Sequence, residues 1–314
     1  MSFTEPIESY AGAVRETTIG AGDSAVTIGG AKSLPFYNFD APAGNAPKIA
    51  MEVYDSAPQG WPAALESALG DVAGDPVAWA KRCVELGADA VCVQLASTDP
   101  NGADTSADDA AAIVKAVTEA VNVPVIVYGC GNADKDAEVL KKVAEACDGS
   151  NLLLGPATED NYKAIVAAAL GYGHGVIGET PIDVNMAKQL NILMTQLGLD
   201  ASRIVMDPST GAIGYGIEYA YTVMERLRLA ALGQCDDMCS LPIIVNLGKE
   251  AWRAKEAKAT DAEEPAWGDE TKRGVLWEAT SALTCAMGGA DLIVMRHPDA
   301  VALVKQSFAS LADQ

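Results

Sequence analysis

The chain has 314 residues, 49% of them hydrophobic, with 43 Asp and Glu against 22 Lys and Arg and a formal charge of −21. That length and apolar content can bury a full core. The acidity argues against nucleic acid as a partner, since phosphates need a basic face. No run of about 18 apolar residues occurs, so no membrane span is expected. The opening "MSFTEPIESY" has no basic region followed by an apolar one, so no secretory signal is expected and the cytoplasm is the expected location.

Residues 1–47 read as an extension. Within them, "ETTIGAGDSAVTIGG" looks like two strands around the turn "GAGD", a hairpin expected to plug the N-terminal mouth of a barrel. From residue 48 to 314, strand-like runs alternate with helix-like ones. The strand candidates are "KIAMEVYD" (48–55), "DAVCVQL" (89–95), "VPVIVYG" (123–129), "NLLLG" (151–155), "GVIGE" (175–179), "RIVMD" (203–207), "PIIVN" (242–246) and "DLIVMR" (291–296). They are short and apolar throughout rather than alternating, as strands covered on both faces are. Eight such runs are what a TIM (β/α)8 barrel requires.

The intervening segments carry helix signals. Asp75 before Pro76 reads as a cap and first turn, with Trp79, Cys83 and Leu86 on one face. A second helix is expected to start at Thr158, and Val139, Leu140 and Val143 form a stripe on a third. A polar insertion at 255–274 comes after the seventh barrel strand, and loops of that length are functional or mobile. The seven cysteines, an odd number mostly in apolar runs, read as reduced thiols. Cys235 and Cys239 have no second pair or nearby histidine to complete a metal set, and two histidines in all exclude a multi-histidine centre.

Barrels carry their sites at the C-terminal strand ends. Those ends supply Glu52, Tyr54, Asp55, Gln94, Tyr128, Gly129, Gly131, Gly155, Pro156, Gly178, Glu179, Thr180, Asp207, Ser209, Thr210, Asn246, Gly248, Arg296 and His297. No strand ends in lysine, which argues against Schiff-base chemistry. No histidine–carboxylate cluster could hold a catalytic metal. Neither a Gly-Lys-Ser/Thr loop nor a Gly-x-Gly-x-x-Gly turn after the first strand occurs, and "GCGNAD" is only a partial glycine pattern. Structural roles compete at each acid. Asp207 caps a turn by accepting backbone N–H groups, or serves a ligand. Glu52 and Glu179 pair with Arg296 or Lys188, and His297 caps or packs at a helix start. The segment "VMDPSTGAIGYGIEY" (205–219) strips side chains from the loop after the sixth barrel strand, with Gly211, Gly214 and Gly216 around Tyr215. Either a tight turn needs those glycines, or something flat must approach the backbone.

"LPFYNFD", "YGCGNADKDAEVL", "NLLLGPATEDNYK", "NMAKQLNILM", "DPSTGAIGYGIEYAYTVMERLRLAAL", "EAWRAKEA", "GDETKRGVLWEAT" and "VMRHPDAV" together resemble the small (delta) subunit family of the corrinoid iron–sulfur protein, part of the acetyl-CoA synthase/CO dehydrogenase system. The resemblance runs from about residue 30 to 305. It implies a barrel related to pterin-dependent methyltransferases, not an enzyme on its own. Its implied partner is a large subunit with a [4Fe-4S] cluster and a cobamide domain. Methyltetrahydrofolate methyltransferase and acetyl-CoA synthase would be transient partners. The cobamide would lie against this barrel's C-terminal mouth, shared with the large subunit. The residues expected near it are Asp207, Ser209, Thr210, Gly211, Gly214, Tyr215, Asn246 and Gly178. A four-cysteine cluster motif is missing, so the iron–sulfur cluster is expected on the partner. Asp-x-His-x-x-Gly is missing too, because Tyr172 stands before His174. The alternative is a free-standing pterin-binding methyltransferase, for which Asp207 and Asn246 offer side chains while "YGCG" and "LGPA" offer none.

Overall fold

The computed structural model describes residues 6–42 and 44–312; residues 1–5 and 43, within the expected extension, and 313–314 lie outside the described residues. The chain begins with an antiparallel pair, β1 (Glu16–Ile19) and β2 (Val26–Gly29), joined through a 3-10 turn at Gly22–Ser24. Eight parallel strands come after it: β3 (Lys48–Tyr54), β4 (Ala90–Gln94), β5 (Val125–Tyr128), β6 (Leu153–Ala157), β7 (Gly175–Glu179), β8 (Ile204–Asp207), β9 (Ile244–Asn246) and β10 (Leu292–Met295). Their order is β8-β7-β6-β5-β4-β3-β10-β9. The last seam closes through one bridge, Met206 to Ile243, with the Met206 N–H donating to the Pro242 carbonyl at 2.8 Å. The expected TIM barrel is present, and all eight expected runs are strands.

Side chains alternate across each strand. Ile49, Met51 and Val53 face the helices, while Ala50, Ala90, Cys92, Ile126, Leu153, Ile177, Val205, Ile244, Leu292 and Val294 fill the barrel interior. Ile19 and Ile28, both 1% exposed, join that inner cluster. The hairpin therefore closes the N-terminal mouth. Asn151 holds it there, donating from its amide to the Thr18 and Gly20 carbonyls at 2.9 Å each. Asn151 adopts φ 48° to do so, and the strand expected at 151 begins at Leu153 instead.

The helices obey their signals with two corrections. Asp75 accepts the Val77 and Ala78 N–H groups, and Trp79 and Cys83 are buried. Leu86, expected on the same face, is 39% exposed, because the helix ends at Glu85 and the chain turns outward. The helix expected at Thr158 begins at Tyr162. Asn161 accepts the Thr158 N–H at 2.8 Å and closes a turn ahead of it. Val139, Leu140 and Val143 are buried in helix Ala133–Ala146 as expected. The 255–274 insertion is pinned by Arg273, whose guanidinium bonds the carbonyls of Glu256, Ala259 and Gly268. Lys255 binds Glu264 and lies over Trp267. All seven cysteines are free, with Cys83, Cys92, Cys147, Cys239 and Cys285 buried. Among the described residues no helix is long and apolar enough to cross a membrane.

Candidate functional site

The inward parity of seven of the eight barrel strands, β6 excepted, continued one step past the apolar layers, reaches Glu52 and Tyr54, Gln94, Tyr128, Glu179, Asp207, Asn246 and Arg296. A polar ring thus caps an apolar interior at the C-terminal mouth, where barrel proteins keep their chemistry.

One arc is acidic. Asp207, 2% exposed, accepts the Tyr128 hydroxyl at 2.8 Å and the Ser209 N–H at 2.9 Å. Its strand neighbour in register is Glu179. Burial raises both carboxyls above the ordinary range, and the charge of Asp207 raises Glu179 further, while Lys249 opposes the shift at each. Asp136, fully buried, lies in the same field. It accepts the Cys130 and Gly131 N–H groups at 2.8 and 2.9 Å. This explains the partial glycine pattern "GCGNAD": a Cβ on Gly129 would stand 2.2 Å from the Asp136 carboxylate.

The opposite arc is built on Arg296. Its Nε donates to the buried Glu52 at 2.6 Å, its Nη2 to the Tyr54 hydroxyl at 2.7 Å, and its guanidinium lies 5.3 Å and 5.6 Å from the Tyr54 and Trp61 rings. Burial raises the Tyr54 phenol, which stays protonated. Glu278 supports this arc from helix Glu270–Gly288. It accepts Trp252 Nε1, the Arg296 N–H and the His297 N–H. Burial pushes its carboxyl up to about 7. The His297 ring accepts the Asp299 N–H and stacks on Trp252 at 5.8 Å, a capping and packing role. Lys188 pairs with Asp236 and with neither Glu52 nor Glu179.

Of the eight residues expected near a cofactor, seven gather on one side of the mouth. Asp207 anchors the loop, Ser209 takes φ 64°, and Thr210 donates to the Asn246 carbonyl at 3.2 Å. The Asn246 side chain accepts from Gln94 at 2.9 Å. Gly211, Gly214 and Tyr215 form the rim, Tyr215 being 94% exposed. Gly178 stands apart, because a Cβ there would meet Met194 at 2.8 Å and Leu190 at 3.3 Å in the helix layer. Its glycine serves strand–helix packing. Asp136 and Glu278 are absent from the strand-end set because both lie on helices. The one signal for Asp136 is its place in the first turn of the helix after the glycine loop. Among the described residues, no group of three or more His, Cys, Asp or Glu could hold a metal ion. His174 is structural: buried, neutral, accepting the Leu152 N–H and bonded to the Ala144 carbonyl.

Fold and site define a (β/α)8-barrel protein with its polar centre at the strand C-termini. Dihydropteroate synthase of Xanthomonas albilineans with 4-aminobenzoic acid has the same architecture, with a TM-score of 0.58 and 14% identity over 95% of this chain and 98% of that one. The Coxiella burnetii enzyme with pteroic acid gives 0.55 and 12%, over 95% and 100%. At such identities the likeness is one of fold alone. The family model for the CO dehydrogenase/acetyl-CoA synthase delta subunit matches residues 16–306, and the chain belongs to that family. It is 41% identical to the acetyl-CoA decarbonylase/synthase complex subunit delta of Archaeoglobus fulgidus, over 97% of this chain and 70% of the relative. It is 42% identical to subunit delta 1 of Methanosarcina thermophila, over 91% and 66%. The chain thus spans about two thirds of the length of these relatives.

Proposed function

We propose that this chain is the non-catalytic small subunit of a corrinoid iron–sulfur methyl carrier. Its barrel mouth covers the cobamide held by a large subunit that also carries the [4Fe-4S] cluster. The methyl group passes from a methyl-tetrahydropterin to acetyl-CoA synthase in the reductive acetyl-CoA pathway, with the pterin methyltransferase and the synthase as transient partners. Membership of the delta subunit family supports this reading.

The observation that carries it is the rim after β8. Gly211 and Gly214 both have φ outside the left-handed region. A Cβ at Gly211 would find only Ser209 Oγ at 3.6 Å, and one at Gly214 only Ala254 at 3.9 Å. The fold therefore requires neither glycine, and the cleared space fits a broad flat group lying against backbone. The N–H and C=O groups of that rim, with Ser209, Thr210 and Tyr215, would bond the amide fringe of a corrin. A bound cobamide would supply a cobalt that takes up and releases the methyl group. This chain's part is to position it and exclude water.

The polar ring favours the second reading, a free-standing pterin methyltransferase, in one respect: buried Asp207 and half-buried Asn246 sit where a pterin could be gripped. Against it, the Asp207 carboxylate is engaged by Tyr128 and Ser209, and the Asn246 side chain by Gln94. Purifying the chain alone and co-expressed with a candidate large subunit separates the two. The expected outcome is a stable heterodimer with a cobalt–corrin spectrum, and neither iron nor pterin on the chain alone. A stoichiometric pterin on the isolated chain would favour the methyltransferase instead.

A further inference from the structure

Next to the glycine rim, on the far side of Ala254, lies a cavity of about 440 Å³. The loop after β3, around Trp61, forms one side, and the segment from Lys249 to Lys258 forms the other. Four cations line it: Lys249, Arg253, Lys258 and Arg296. Among the described residues no carboxylate does, in a chain with nearly two acids for every base. Of the acids around it, Glu52 binds Arg296 and Asp55 binds the Ser97 N–H and hydroxyl, while Glu179, Asp207 and Asp136 act on Lys249 from the barrel mouth without lining the cavity. Arg253 meets Glu250 at 3.2 Å on the outer edge. Lys249 and Lys258 have no salt-bridge partner among the described residues.

Arg296 is the built element. It is 5% exposed and held by Glu52, Tyr54 and Trp61 in a fixed orientation. Its Nε and Nη2 are engaged, and no described residue bonds Nη1. A pre-oriented guanidinium edge and two exposed ammonium groups without salt-bridge partners are the parts that recognise an oxyanion. Concentrating them in one cavity costs self-repulsion, which a bound anion relieves.

We propose that this cavity is a binding site for the phosphate or carboxylate group of a small ligand, with Arg296 at its base and Lys249 and Lys258 closing over it. The site is separate from the glycine rim, none of whose residues lines the cavity. It also does not depend on the chain being a cobamide subunit, since binding is read on this chain alone.

The test is calorimetric titration of the full chain, at low salt, with inorganic phosphate and separately with succinate. Saturable one-to-one binding that weakens with added salt is expected. The Lys249→Ala/Lys258→Ala variant should lose about tenfold or more in affinity, the scale of one charge-assisted hydrogen bond. Both lysines are exposed, so its unfolding midpoint should stay at the wild-type value, and Lys141→Ala on a distant exposed face should bind as the wild type does. Tighter binding of phosphate assigns the site to phosphorylated ligands, and tighter binding of succinate to carboxylates. No saturable binding of either ion, or equal loss in the Lys141 variant, would overturn the proposal.

Discussion

Tyr128 and Asp207 stand 79 residues apart in the chain, yet the Tyr128 hydroxyl donates to the Asp207 carboxylate at 2.8 Å inside the barrel mouth. The two side chains tie β5 to β8 across β6 and β7. The bond satisfies one oxygen of a buried acid, and the Ser209 N–H satisfies the other. Removing the hydroxyl leaves a buried acceptor without its side-chain partner. Tyr128→Phe should destabilise the fold by about 1–3 kcal/mol, the cost of an unsatisfied buried acceptor. Urea denaturation of the two proteins measures this, and equal midpoints would mean that the bond contributes nothing.

Glu179 gives a pH dependence with a definite sign. Its folded carboxyl is raised from 4.5 to about 7 by burial and by Asp207. The folded state therefore binds a proton that the unfolded state releases. The contribution to stability is fully present below about pH 4.5 and is lost as pH rises through about 7. Between pH 5 and 8 the thermal midpoint should fall more steeply in wild type than in Glu179→Gln, by a difference on the order of a few degrees. Parallel slopes would show that the carboxyl is not raised.

Arg296 and Glu52 form a pair buried at 5% and 0% exposure. Breaking such a pair from one side strands a charge. Arg296→Met alone should cost about 3–5 kcal/mol, whereas Arg296→Met with Glu52→Leu should recover most of that loss. The double-mutant cycle, read by denaturant unfolding, gives the coupling directly. Additive losses would place the cost in packing rather than in the stranded acid.

Gly214→Val tests the rim. The position has no positive φ and no neighbour nearer than 3.9 Å, so the isolated barrel should unfold at the wild-type temperature. If the chain covers a cobamide as proposed, the complex with the large subunit should lose it, because the new side chain fills the cleared space. Retained cobamide with a lowered midpoint would assign the glycine to the turn.

The fold was legible because its signals are local and repeated. Apolar runs such as "DAVCVQL" and "DLIVMR" mark strands covered on both faces, and Asp75 before Pro76 marks a helix start. The Glu52–Arg296 pair was among the alternatives because both residues stand at C-terminal strand ends and buried acids are usually paired. What escaped was set by distance. Asp136 and Glu278 reach the mouth from helices, and nothing in a linear reading tells which helical acid turns inward. Gly178 misled because a strand end has two faces; its empty position looks toward Met194 and Leu190. Asn151 shifted the start of β6 to Leu153 through bonds to a hairpin 131 and 133 residues earlier.

Ile19 and Ile28 make the barrel a vessel with a floor. The interior above that floor is packed with side chains, so every visitor to the polar ring comes and goes by the same doorway. Two large bodies that both need that opening must queue, each leaving before the next arrives. The order of their visits is then written into the shape of the cup, without any signal passing through its walls.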